Sequence, residues 1–246
     1  MKKILPISHL ICEKNVYEID KISAYEYKEI RPIFTNDAPL FFHSGLGIVQ
    51  KEFFPFFGAI EKYLSDNDFE MFSFDLGPAS KTVVVKDYYY VHRTQILDRE
   101  HIKKTIRDRL TILKRKFRGK IALENLNYYP SKAYLHVCES DFISEVVNEN
   151  DVYFLLDLAH AQISAYNLGL DLMDYVKCLP LDRVIEIHIS RPKRIDDIFY
   201  DCHEVPCLYD YEILNKVYQL CPLSPYIAIE YYKNFNLLKN SYDHLN

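Results

Sequence analysis

The stretch VYFLLDLAHAQISAYNLGLD, residues 152–171, gives the main indication of the fold. Its first part is a short, continuously apolar run that contains Asp157 near its end, and a helix is predicted after it, over 159–168. A continuous apolar run of this length is typical of a parallel strand that is covered on both faces. The stretch therefore predicts a buried strand that leads into a helix, with a carboxylate at the junction.

The same alternation of strand and helix recurs along the chain. The other apolar runs of strand length cover 2–8, 39–44, 70–76, 120–125, 183–190 and 226–232. Further helices are predicted over 53–64, 98–120, 140–149, 171–178 and 209–220. Such alternation indicates a parallel α/β architecture. With an eighth strand expected near 198–204, the preferred fold is a (β/α)8 TIM barrel, and an open doubly wound sheet is the second choice.

Length and composition predict one globular domain that spans residues 1–246. Hydrophobic residues make up 49% of the chain and charged residues 26%, which is ordinary for a protein with a full core. Barrels of roughly 250 residues often fold as one unit. The chain contains no low-complexity segment, internal repeat or Gly/Ser linker that would indicate a boundary.

Several functional classes are disfavoured by composition. A net charge of −5 argues against a nucleic-acid-binding surface, and only 6 glycines make a glycine-rich phosphate loop improbable. The six cysteines form no CxxC pair, which argues against a zinc ribbon or a disulfide scaffold. No apolar run approaches the roughly 20 residues of a membrane span. Pro6 and His9 interrupt the apolar N-terminus, so we do not expect a secretory signal. We expect a cytoplasmic location instead.

Potential metal ligands stand at the ends of most apolar runs. They are His43, Asp75, Glu124, Asp157, His188 and Glu230. Three more follow nearby: His160 lies one helical turn past Asp157, and Asp201 and His203 lie in the stretch YDCHEVP (200–206). Because barrel enzymes build their sites at the carboxyl ends of the strands, we expect these side chains to share one rim.

Each of these residues has an ordinary explanation when it is taken alone. A histidine at a strand end is most often a hydrogen-bonded structural group, and Asp157 could simply be a helix N-cap. The whole set is more informative, because charged groups at apolar strand ends are costly unless they are paired or bound to a cation. Mixed carboxylate and imidazole ligands suit Zn, Mn or Fe better than Ca, and Glu124 or Asp157 could bridge two ions.

Several segments resemble the xylose-isomerase-like barrel superfamily. Residues 155–171 resemble the Asp-x-x-His segment of endonuclease IV enzymes, which carry three zinc ions. A fuller resemblance is to the multinuclear non-haem iron-dependent oxidative enzymes, the group that contains the methanobactin-maturation oxygenase. The blocks that carry it, in that family's order, are LFFHSGLGI (40–48), KIALENLNYY (120–129), VIEIHIS (184–190), YDCHEVP (200–206) and IAIEYY (227–232).

This resemblance implies three groups of ligands. One metal would be held by His43 and Glu124. A second would be held by Glu124, Asp157, His188 and Glu230, and a third by His160, Asp201 and His203. The resemblance also implies that Asn125, next to Glu124, lines the substrate side of the site.

One position departs from the family pattern. The family usually has a histidine at the end of the third strand, where the stretch MFSFDLGPAS (71–80) has Asp75. Aspartate also binds iron, but it is harder and anionic, so we expect the first metal site to be altered. His92, which lies beyond the same strand, is a possible substitute.

The activity that the resemblance implies is an O2-dependent oxidation. Two or three Fe ions would act with O2 as co-substrate on a ribosomally synthesised precursor peptide, with Cys as the expected target. A peptide-recognition partner protein is expected, whereas a membrane or a nucleic acid is not.

Three alternatives remain open. One is a zinc-dependent, endonuclease IV-like phosphodiesterase on abasic DNA, for which the basic stretch 103–120 is the best support, although such residues usually form the solvated face of an outer helix. Another is a sugar isomerase or epimerase that uses two carboxylates and one metal ion. The last is a non-enzymatic descendant that keeps the barrel but has lost a metal.

Overall fold

Eight parallel strands close into a barrel in the computed structural model, which describes residues 1–35 and 38–245. The strands of the chain are β1 (Lys2–Ile7), β2 (Ile22–Tyr27), β3 (Leu40–Ser44), β4 (Met71–Asp75), β5 (Val83–Lys86), β6 (Tyr89–His92), β7 (Lys120–Glu124), β8 (Tyr153–Asp157), β9 (Val184–Ile189), β10 (Arg191–Ile195), β11 (Ile198–Glu204) and β12 (Tyr226–Ile229). Around the barrel the order is β1-β12-β9-β8-β7-β4-β3-β2. The predicted TIM barrel is confirmed, and the open doubly wound sheet is wrong.

Helices follow most of the barrel strands. They are α1 (Phe53–Asp66), α2 (Arg99–Lys116), α3 (Ser140–Glu149), α4 (Leu158–Leu168), α5 (Leu172–Lys177), α6 (Leu208–Tyr218) and α7 (Phe235–Tyr242). The apolar stripe of α2, formed by Ile102, Ile106, Leu110 and Leu113, is buried. The Asp98 side chain caps the helix by accepting a hydrogen bond from the backbone N of His101 at 2.9 Å. In the part of the chain that the structure describes, no helix is both long enough and apolar enough to cross a bilayer.

The eighth barrel strand is β2, so the prediction that it lies near 198–204 is wrong. Residues 198–204 do form a strand, β11, but it pairs antiparallel with β10 in a hairpin outside the barrel. Strand β2 was missed because Glu26 interrupts its short apolar run and is nevertheless fully buried. A second hairpin, formed by β5 and β6, follows β4.

An apolar layer fills one part of the barrel interior. It consists of Ile4, Ala24, Phe41, Met71, Ala122, Leu155 and Ala228, one from each of seven barrel strands. Side chains two residues apart lie on the same face of a strand, so the residues two positions later also face the interior. On six of these strands, or directly after them, they are Glu26, His43, Ser73, Glu124, Asp157 and Glu230. The barrel therefore carries a polar layer directly above an apolar one, toward the carboxyl ends of the strands.

The basic stretch 103–120 lies on α2 and just after it, and much of its charge is paired. Lys103 contacts Glu149 at 2.7 Å, and Lys104 contacts Asp108 at 2.6 Å. The guanidinium of Arg109 donates to the backbone oxygens of Ile48 and Gln50. These contacts fit the ordinary explanation of this stretch as the outer face of a barrel helix.

Candidate metal centre

Glu124, at the end of β7, is the centre of the polar layer. Its Oε2 lies 3.2 Å from Nε2 of His43, and its Oε1 lies 3.5 Å from Nδ1 of His160 and 3.8 Å from Nδ1 of His188. Ser73 Oγ lies 3.0 Å from Nδ1 of His43, which leaves Nε2 of that ring directed at Glu124. The structure thus brings residues that are far apart in the sequence around one carboxylate.

Asp157 both caps a helix and faces the centre. Its Oδ1 accepts a hydrogen bond from the backbone N of His160 at 2.7 Å, which makes it the N-cap of α4. Its ligand atoms also lie within 4.8 Å of those of Glu124 and His160, and of those of His188 and Glu230. The ordinary and the functional explanation of Asp157 are therefore compatible.

The β10–β11 hairpin brings Asp201 and His203 to the same centre. Asp201 Oδ2 lies 3.3 Å from Nε2 of His160, and His203 Nε2 lies 3.0 Å from Oε2 of Glu230. His203 has a backbone φ of 43°, in the left-handed region that non-glycine residues rarely adopt. Such strain is common at functional sites, where the surrounding structure holds a side chain in a required direction.

Asp75, at the end of β4, is buried beside Glu124. The two residues are register partners on neighbouring strands, so their carboxyl groups compete for the same small volume. Burial raises the pKa of Asp75 to about 7 and holds the pKa of Glu124 well above its usual range. The position where the family usually has a histidine thus adds a further acid to the centre.

Three charged residues of the site were missed by the sequence analysis: Glu26, Lys28 and Glu186. Glu26 Oε1 and Glu186 Oε1 lie 3.1 Å and 3.3 Å from Nε2 of His188. Lys28 forms an ion pair with Glu230 and lies 3.5 Å from Glu26. The signal that could have found Glu186 is its spacing, because it stands two residues before His188 and must share its face. Glu26 and Lys28 show the same spacing on the overlooked strand β2 and just beyond it.

The surrounding charges alter the protonation of these groups in the metal-free protein. Burial alone would lower the pKa of His188, but Glu26 and Glu230 outweigh burial and raise the pKa well above its ordinary value. Likewise, Asp157 and Asp201 raise the pKa of His160 against the effect of burial. Burial and, to a smaller extent, the neighbouring Glu26 raise the pKa of Glu186 to about 7. Protons thus supply positive charge that a metal ion would otherwise supply.

The donor set fits a metal centre. Seven carboxyl groups lie at the mouth of the barrel or just below it: those of Glu26, Asp75, Glu124, Asp157, Glu186, Asp201 and Glu230. Among the described residues, Lys28 is the one lysine or arginine that lines the cavity. Several buried donor and acceptor atoms, including Nδ1 of His188 and Oδ1 of Asp201, make no hydrogen bond within residues 1–35 and 38–245. Unpaired buried atoms and surplus buried charge are both costly, and a bound cation would relieve both.

A cavity of about 580 Å³ opens above these groups. Its floor includes His43, Glu124 and His160, and its walls carry aromatic side chains. Those aromatic residues are Phe56, Tyr88, Tyr89, Tyr90, Tyr134 and Tyr232. A polar floor under aromatic walls is the usual form of a site that holds a substrate and limits the access of water.

Asn125 holds the backbone of Asp157 through its side-chain amide. It is fully buried, its Nδ2 donates to the backbone oxygen of Asp157 at 3.0 Å, and its Oδ1 accepts from the backbone N of Asp157 at 2.9 Å. It therefore positions Asp157, while its contact with a substrate stays a prediction; Asn127 lines the cavity. His92, the possible substitute for the family's histidine, lies in the β5–β6 hairpin with Nδ1 at 3.2 Å from the backbone oxygen of Thr94.

Sequence comparison gives a family and several relatives. Residues 89–245 match the family described as RiPP precursor modification enzyme MbnB/TglH/ChrH. A UPF0276 protein of Acaryochloris marina is 28% identical over 124 residues, which cover 50% of this chain and 45% of the relative. A UPF0276 protein of Caulobacter vibrioides is 31% identical over 86 residues, 35% of this chain and 31% of the relative. The chain thus matches less than half the length of either relative.

Structural comparison identifies the same barrel in solved proteins. The 3-keto-D-glucoside 4-epimerase YcjR from E. coli superposes with a TM-score of 0.63 at 14% identity, over 100% of this chain and 98% of that one. A xylose isomerase domain protein from Planctomyces limnophilus gives a TM-score of 0.60 at 9% identity, over 100% and 93% of the two chains. At such low identity the likeness establishes the TIM-barrel fold and nothing about substrates.

Proposed function

The chain belongs to the MbnB/TglH/ChrH family of RiPP precursor modification enzymes, and on that premise we propose that it is an iron-dependent oxidase that uses O2 to modify a ribosomally synthesised peptide at Cys. The proposal includes two or three Fe ions and a peptide-recognition partner protein. It also includes the ligand set His43, Asp75, Glu124, Asp157, His160, His188, Asp201, His203 and Glu230.

The observation that carries the proposal is the surplus of negative charge around Glu124. Imidazole and carboxylate groups from six barrel strands or their carboxyl ends, from the first turn of α4 and from one hairpin converge there, and the ligand atoms within each of four three-residue groups lie within 4.8 Å of one another. Several of these side chains belong to more than one of the three-residue groups, as a multinuclear site requires. Carboxylate and imidazole donors of this kind suit Fe, Mn or Zn.

Some residues around the metal would bind it or orient its ligands, and others would limit the access of water. Iron at this centre would supply the redox chemistry, since His and carboxylate ligation leaves positions open for O2 and a thiolate. Glu124 would bridge two ions, and Ser73 and Asn125 would orient His43 and Asp157 through their hydrogen bonds. The tyrosines of the cavity wall would limit water at the reacting side chain.

Metal analysis of protein purified without oxygen tests the ligand set. We expect wild-type protein loaded with Fe2+ to retain two or three ions, and His188→Ala and Asp157→Ala each to lose at least one. His101→Ala is the matched control, because that histidine is exposed on α2 and pairs only with Asp98 among the described residues. Retention of wild-type iron by both site variants would contradict the proposed centre.

Oxygen consumption tests the reaction itself. Iron-loaded protein should consume O2 when it is given a Cys-containing precursor peptide and its partner protein, and the peptide should change in mass. The same preparation, loaded with zinc, should be assayed for nicking of an abasic duplex. Nicking without any oxygen uptake would replace the oxidase with the phosphodiesterase.

A further inference from the structure

Lys28 places a fixed positive charge inside the candidate metal centre. It follows β2 and stands two residues after Glu26, so its side chain rises from the interior face of the barrel into the cavity. Its Nζ donates to Oε1 of Glu230 and lies 3.5 Å from Oε2 of Glu26. The ammonium group also lies 5.8 Å from the ring centre of Tyr232. Two carboxylates and an aromatic face therefore surround this one cation.

Glu230 differs from the other candidate ligands in how fully its oxygens are used. Oε1 accepts hydrogen bonds from Lys28 and, at 2.9 Å, from the hydroxyl of Tyr232. Oε2 accepts from Nε2 of His203 at 3.0 Å. Both oxygens are thus bound by donors of the protein itself, and a metal ion could bind Oε1 only after Lys28 had moved away.

Glu124 has no such competitor. The basic side chains that the structure places beside its carboxyl group are the imidazoles of His43, His160 and His188, which are themselves candidate ligands. A metal ion bound there would displace no lysine. The two ends of the centre therefore differ: Glu124 is open to a metal, and Glu230 is already held by an ammonium group.

We propose that Lys28 is a resident cation of the centre that competes with a metal ion for Glu230, so that the position at Glu230 is the last and weakest to be filled. The proposal rests on the metal centre described above. It assigns Lys28 a positioning role, since the residue acts on the metal through the carboxylate that both would share.

Titration with Co2+ tests the competition without redox chemistry, because d–d absorption reports each bound ion. We expect Lys28→Met to bind its last ion about tenfold or more tightly than the wild type, since the competing charge is gone. Lys28→Arg should behave like the wild type because it keeps the charge. Lys62→Met is a matched control on α1, where that lysine pairs with Asp66 on the surface.

Unchanged or weaker binding of the last ion in Lys28→Met would overturn the proposal. The gain should vanish in the double variant Lys28→Met/Glu230→Gln, and a gain that persists there would also overturn it, because the competition would not be for Glu230. If Lys28→Met does not fold, Lys28→Gln carries the same expectation, since an amide can bond both carboxylates without the charge. Wild-type protein that binds no Co2+ or Fe2+ would instead refute the proposed function.

Discussion

At the scale of single residues, Asp75 is a candidate metal ligand that lowers the stability of the metal-free fold. Its carboxyl group is buried beside that of Glu124, and burial raises its pKa to about 7. Two acids in one buried volume destabilise the metal-free fold when both are ionised, and a shared cation would reverse that effect. The residue should therefore be unfavourable without metal and favourable with it.

Replacement of Asp75 by its amide tests this directly. We expect Asp75→Asn to raise the free energy of unfolding of EDTA-treated protein by roughly 1–3 kcal/mol at pH 8, because one buried negative charge is removed. With saturating Zn2+ the gain should disappear or change sign, because an amide is a weaker ligand. Urea unfolding followed by circular dichroism measures both states.

The control for this comparison is Asp197→Asn, which changes an almost fully exposed carboxylate that pairs with Arg194. It should leave both free energies within about 0.5 kcal/mol of the wild type. A gain in Asp75→Asn of equal size with and without Zn2+ would mean that Asp75 does not bind the metal.

At the scale of elements, the two hairpins beside the barrel mouth are held by a matching pair of tyrosines. The hydroxyl of Tyr129 accepts a hydrogen bond from the backbone N of Asp201 at 3.0 Å, on the β10–β11 hairpin. The hydroxyl of Tyr134 accepts one from the backbone N of Tyr90 at 2.7 Å, on the β5–β6 hairpin. The first hairpin carries two candidate ligands and the second forms part of the cavity wall, so only the first bond should matter for metal binding.

Removing each hydroxyl separates these roles. Tyr129→Phe should weaken binding of the metal at Asp201 and His203 by roughly tenfold, because the backbone that presents these ligands loses an anchor. Tyr134→Phe removes the same kind of bond from the other hairpin and should leave metal affinity unchanged. Calorimetric titration with Zn2+ measures both, and equal losses in the two variants would show that the hairpins act only through overall stability.

The elements that could be predicted from the sequence are those whose residues are almost all apolar. Continuous apolar runs revealed seven barrel strands, and the ligand-type residues at their ends indicated the rim on which the structure places them. Strand β2 was missed because Glu26 serves the interior of the centre and breaks the pattern that identifies a strand. Lys28 was missed for a related reason, since a lysine that follows a weak strand normally lies in solvent. Glu26 and Lys28 were therefore missed because their polar side chains point inward from a strand that no continuous apolar run identifies.

At the scale of the whole molecule, the candidate ligands come from segments that are distributed over most of the chain. They extend from His43 to Glu230 in sequence, and six barrel strands or their carboxyl ends, helix α4 and one hairpin contribute them. Because the barrel closes through β1 and β2, an ion bound at its mouth would link strands from both halves of the sequence. Metal binding should therefore stabilise the fold as a unit.

Thermal unfolding measures this coupling and, with it, the proposal that residues 1–246 form one domain. A free metal concentration of about 100 times Kd adds roughly 2.7 kcal/mol per site, which for a chain of this size raises Tm by roughly 5–10 °C. We expect Fe2+ under argon, or Zn2+, to shift one cooperative transition as a whole, and EDTA to reverse the shift. Mg2+ at the same concentration should do much less, since it prefers oxygen ligands and keeps its water. Two transitions, of which the metal moves one, would show that part of the chain folds independently of the centre.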